Sequence, residues 1–151
     1  MISMHIELTG VKEFEENLDR IHGVIQSFEP ELRDIGEWYI GFLTNDVFET
    51  EGGVYHDHWA SLSPDYAERK AGHYPGRGVL EASGFMRTHW KLYTTSQYAL
   101  IENEADYAIY HQEGTDKMPQ RMIVKLDRER QDTIYEKFKE GILKRIQDAV
   151  R

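Results

Sequence analysis

Two alternate histidines, His56 and His58, form the pattern in this chain nearest to a metal site. A zinc site needs three or four N, S or O ligands at fixed geometry. His73, His89 or His111 would have to join the pair in space to complete such a set. Two histidines in a glycine-rich acidic loop do not supply it alone, and they read better as exposed loop or packing residues. Of the many carboxylates, none interrupts an apolar segment as a raised-pKa general acid does. Asp57 and Glu113, the two placed beside histidines, read as solvated turn residues. Gly76-Arg77-Gly78 lacks the lysine and helix of a phosphate loop, and no serine sits in a nucleophile elbow. The absence of cysteine excludes disulfides, Cys-ligated zinc and thiol catalysis. The expectation is a protein that is not an enzyme and holds no cofactor or metal.

The segment from Tyr107 to Arg121 concentrates groups that shape a backbone rather than react. Tyr107 and Ala108 are expected to pack a short helix, with Ala108 allowing close approach. His111 and Gln112 can hydrogen-bond the following loop and hold its form. Gly114, like Gly84, suits backbone angles that other residues resist. Arg121 is expected to meet a carboxylate of its own chain or of a neighbour. Upstream, Trp59 and Leu62 are expected to anchor a long loop to the core through their apolar area.

Charge is unevenly spread over the 151 residues. Residues 1–57 carry 3 basic and 13 acidic side chains, whereas residues 125–151 carry 8 and 6. The acidic end would repel phosphate, so specific nucleic-acid binding is not expected. A locally basic stretch, Gly72 to Gly78 with Arg69, Lys70 and Arg77, would fit the acidic end of another subunit, which points to self-association. No apolar run approaches the roughly 20 residues that span a bilayer. The first residues lack a basic region followed by an apolar one. A soluble chain without membrane attachment is the expectation.

The elements that must position these residues follow from periodicity. Met4, Ile6 and Leu8 alternate with Ser3, His5 and Glu7, which predicts a strand from Ser3 to Leu8. Thr9-Gly10 breaks it and can cap a helix bearing Val11, Phe14, Leu18, Ile21, Val24 and Ile25 on one face. Pro30 opens a second helix with an apolar stripe from Leu32 to Val47, stopped by Gly52-Gly53. A long loop at about 52–78 is expected to be flexible, with a short helix from Pro64 to Lys70 capped by Ser63. Leu80 to Met86 suggests a further helical turn. Trp90–Thr95 and Tyr98–Asn103 predict a hairpin, Asp106–Gln112 a short helix, and Met122–Leu126 another strand. Asp127 opens the last helix. The order implies a single α+β domain over residues 1–151: a small, largely antiparallel β-sheet packed with two N-terminal helices and a C-terminal helix.

Three blocks in this order resemble the phage virion morphogenesis family, the Mu-type tail-completion proteins. The first is Trp59 through Leu62 and Pro64, then Tyr66 and Lys70. The second is Val79-Leu80, then Gly84, Met86 and Arg87. The third is Tyr107-Ala108, His111-Gln112, Gly114, Met118-Pro119 and Arg121. Together they cover about residues 50–126. Gln120 stands where the family has a small residue, Met122 where proline is common, and Glu113 where an aromatic is frequent. The resemblance implies a structural protein of a phage or prophage. It would complete or terminate the tail, or join tail to head, as a homo-oligomeric ring. Its partners would be tail-tube or head–tail connector proteins. Its place would be the tail or neck of the virion, and the host cytoplasm during assembly. The rival readings are a metal-dependent hydrolase using the histidine loop and a nucleic-acid-binding module using the basic loop.

Overall fold

The computed structural model describes residues 9–151. The strand expected from Ser3 to Leu8 lies outside the described residues. Helix α1 runs Val11–Ile25 behind Gly10, whose φ of 78° starts it without a side-chain cap. Helix α2, Glu29–Phe42, has Pro30 in its first turn, where the missing amide proton costs nothing. It continues as a π-helical segment, Leu43–Val47, whose Leu43 and Val47 are fully buried. Within this segment the Thr44 carbonyl accepts from Arg87 Nε at 2.7 Å.

The region 52–84 contains a 3-10 turn at Gly53–Tyr55 and helix α3, Pro64–His73. Ser63 stands at the N-cap of α3 in extended conformation, but its hydroxyl makes no cap bond. The turn expected at Leu80–Met86 lies slightly later, as α4, Phe85–Thr88. Strands β1, Trp90–Thr94, and β2, Ala99–Asn103, pair antiparallel with Leu92 opposite Ile101. The hairpin packs on α2 at Gly36, where any Cβ would collide with Leu92. Helix α5 is Ala108–Glu113 and helix α6 is Arg128–Ala149. Asp127 caps α6 by accepting from the Arg130 amide.

The fold is the α+β arrangement that the pattern predicts. Its core lies between α2, the π segment and the irregular chain, with Leu43, Val47 and Ile123 at its centre and Tyr55, Phe48 and Trp59 around them. Arg130 closes the core from the α6 side. Its guanidinium lies 5.0 Å from the Phe42 ring centre and 5.6 Å from that of Tyr55. Farther along α6, Arg145 bonds the nearly buried Glu31 carboxylate at 2.7 Å and the Ser27 and Val24 carbonyls, tying the α1–α2 turn down. Among the described residues no helix is long and apolar enough to cross a membrane.

Among the described residues, Met122–Leu126 forms no strand and joins no sheet, contrary to the expectation of a strand. Side chains bond its main-chain groups. The Gln112 amide oxygen accepts from the Ile123 and Val124 amides at 2.8 and 2.9 Å. Its nitrogen donates to the Val124 carbonyl at 2.8 Å. Trp59 Nε1 donates to the Met122 carbonyl, and the Tyr55 and Tyr39 hydroxyls donate to those of Ile123 and Lys125. Buried backbone groups must be paired, and here side chains supply partners. Burial raises both tyrosine pKa values, so these hydroxyls keep the protons they donate.

Candidate docking groove

The three sequence blocks, apart in the chain, meet around one open groove of about 850 Å³. α3 brings Tyr66, Arg69 and Lys70 to one wall. The chain entering α4 brings Val79, Leu80 and Gly84, and α5 with its following loop brings Tyr107, Tyr110, His111 and Arg121. Of the eleven residues singled out in sequence, Leu62, Lys70, Leu80, Gly84, Tyr107, His111 and Arg121 line the groove. Trp59 lies below it in the core, edge-on to Phe48 with centroids 5.4 Å apart. Ala108 packs against that core, half-buried. Gln112 and Gly114 shape the loop behind the groove.

Two buried cations hold the walls by gripping main-chain carbonyls. Lys70 Nζ donates to the Gly78 carbonyl and, at 2.9 Å, to that of Val79. Burial pushes its ammonium below the ordinary lysine pKa, against the pull of the Glu51 and Glu81 carboxylates. Glu51 completes this wall by accepting from the Val79 amide at 2.7 Å. Arg121 donates through Nε to the Ala60 carbonyl at 2.7 Å and through a terminal nitrogen to that of Ser61 at 3.0 Å. The expected carboxylate partner is therefore replaced by two carbonyls of the same chain. At 5 % exposure, Arg121 does not reach outward to another subunit. A guanidinium fork serves neighbouring carbonyls as well as a carboxylate, so residue type alone did not separate the two.

Two further expectations are corrected in α5. Tyr107 is 46 % exposed and lies along the groove instead of packing the helix into the core. Its ring meets that of His111 edge-on, with centroids 6.3 Å apart. The main chain of His111 fixes the loop, its carbonyl accepting from the Arg121 amide at 2.7 Å. The imidazole does not: among the described residues, its buried Nδ1 has no hydrogen-bond partner. Burial, with the Arg121 guanidinium adding to it, holds the His111 pKa below its ordinary value. Gln112 alone performs the side-chain bracing expected of both. Gly114 has φ of 74°, and a Cβ there would meet the Gln120 amide nitrogen at 2.8 Å. Gly84 also has a positive φ, 84°, with open space around it, so conformation and not crowding selects glycine.

Sequence reasoning missed Glu51 and Tyr110. Glu51 carries a positive φ of 50° ahead of two glycines, a turn signal that did not reveal its carboxylate's role. Tyr110 follows Tyr107 by three residues, the spacing that puts both on one helix side. His56 and His58 are exposed, and among the described residues no group of three His, Asp or Glu side chains is placed to hold a metal. The basic stretch at 72–77 is exposed along its length.

Comparison with known protein families, characterised proteins and solved structures found no match.

Proposed function

We propose that this chain is a structural protein of phage or prophage virion assembly, completing or terminating the tail or joining tail to head, as a ring of identical subunits. The observation that carries this reading is the convergence of the three family-like blocks on one groove. The groove is apolar along Leu62, Leu80 and Tyr110, with Arg69 and Lys117 at its edges. Such a surface suits a protein segment more than a small polar substrate. Its walls are fixed by side-chain bonds to backbone, so the shape exists before any partner arrives. Preformed walls reduce the ordering cost of docking. The partners are further copies of this chain and proteins of the tail tube or head–tail connector.

The test is complementation in a phage or prophage from which the gene has been removed. Particles without it should show tails that are unfinished or detached by electron microscopy, and the wild-type gene should restore them. Leu62→Asp and Tyr107→Asp should fail to restore them while the purified variants stay folded. Normal tails from particles lacking the gene would refute the assignment.

A further inference from the structure

The groove and α1 are each apolar and carry opposite charge, yet they belong to separate parts of one subunit. Val11, Phe14 and Leu18 recur at i, i+3 and i+7 along α1 and are 48, 63 and 48 % exposed. No residue of α1 is buried. Large apolar side chains aligned on one exposed face mark an interaction surface more often than a solvent face. The same helix carries Glu13, Glu15, Glu16 and Asp19 against Lys12 and Arg20. The groove carries the opposite balance, with Arg69, Lys70, Lys117 and Arg121 against Glu81. α1 packs on the far end of α6, where Arg20 reaches the Ala149 carbonyl and Arg145 reaches that of Val24. None of its residues lines the groove.

We propose that the groove receives α1 of a second copy of this chain, with Val11, Phe14 and Leu18 seated on Leu62, Leu80 and Tyr110. The acidic flank of that helix then faces Arg69 and Lys117. This inference rests on the ring-forming reading above and names the contact that builds the ring. An amphipathic helix laid in an apolar groove uses i, i+3, i+7 anchors of this kind. At about 1.5 Å per residue, the 15 residues of α1 extend about 22 Å, long enough to seat all three anchors. Because the helix and the groove are different surfaces, the contact is heterologous. Repeated with a closing rotation, it makes a ring, and without closure it makes a filament.

The absence of cysteine allows a direct test. Phe14→Cys and Tyr110→Cys place single thiols at exposed positions on the two proposed partners. Mixed and oxidised, the two variants should give a disulfide-linked pair of chains in much higher yield than either alone. A chain carrying both substitutions should form a ladder of linked chains. Leu18→Asp and Tyr110→Asp should each reduce the solution mass to that of one chain without changing the melting temperature. The charge pair gives a second arm on exposed residues: Glu15→Lys and Lys117→Glu should each weaken assembly, and together restore it. A wild-type oligomer that survives both Asp substitutions would overturn the α1–groove contact while leaving the ring reading intact. A wild type that remains a single chain and gives no preferred cross-link would overturn the contact and the ring together. The complementation test then decides the phage role separately.

Discussion

The groove walls and helix α1 are held to the same molecule by opposite means. The walls are mostly irregular chain, fixed by individual bonds from Trp59, Lys70, Gln112 and Arg121 to main-chain groups. α1 is regular helix, yet no residue of it is buried, and it rests on α6 through half-buried side chains at Asn17, Ile21 and Val24. Regular hydrogen bonding and burial therefore do not coincide in this molecule. Rigidity follows where buried side chains satisfy backbone groups that have no alternative partner. Local opening is expected where such contacts are few. That contrast suits a fixed socket and a helix that another surface can engage.

The largest effect expected on the wall side is that of Trp59→Ala. It removes a buried aromatic and leaves the Met122 carbonyl unpaired, so it should cost about 4 kcal/mol. Chemical denaturation measures this, and a loss below about 1 kcal/mol would mean the wall does not depend on its staples. Arg121→Ala should follow at roughly 3 kcal/mol, since two carbonyls lose a charged donor at once. Arg121→Lys should recover only part of it, because one ammonium replaces a fork that reaches both carbonyls. An Arg121→Ala protein that keeps wild-type stability would return the arginine to an interface role.

Acid should act on the walls through His111. Its folded pKa lies below the ordinary value of 6.5, so the folded state binds the proton less readily than the unfolded state. The stability tied to its neutral form is complete above pH 6.5 and is lost as pH falls from there through the folded pKa. Followed from pH 7.5 to pH 5, the denaturation midpoint of the wild type should fall relative to that of His111→Gln. Parallel curves would show that the buried imidazole does not control that loss. On the other side of the comparison, Phe14→Ser should change the stability of a single subunit by no more than about 0.5 kcal/mol. A larger loss would show that α1 is buried more firmly than its exposure indicates.

The helices were legible because each depends mainly on its own periodicity. The stripe from Leu32 to Val47, the Asp127 cap and the hairpin around Ser96-Gln97 are local signals, and the structure places those elements where the pattern does. Met122–Leu126 shows the limit. No strand forms there among the described residues, and the main chain is bonded by a glutamine ten residues before its start and by aromatic heads from distant segments. Nothing in the spacing of Tyr39, Tyr55 and Trp59 encodes their arrival on one segment. Arg121 and Tyr107 failed for related reasons. The arginine's partners are carbonyls, which every residue carries and no sequence distinguishes. The tyrosine's exposure comes from the groove it lines, a concavity built by distant segments. The candidate site was visible as a set of residues, but not as a concave surface.

The π segment at Leu43–Val47 gives the long second helix the geometry of a crankshaft. A π turn holds one residue more than an α turn, and one residue corresponds to about 100° of rotation around the axis. Before the segment, Ile35, Gly36 and Tyr39 are turned toward the hairpin and the interior. At its end and after it, Val47 and Phe48 enter the core, and Glu51 is aimed at the Val79 amide on the groove wall. Deleting a single residue from this stretch would leave a straighter and more regular helix. It would also swing Glu51 off the wall and draw the Thr44 carbonyl away from Arg87. The socket therefore depends on a length, counted in single residues, inside a helix that does not line it.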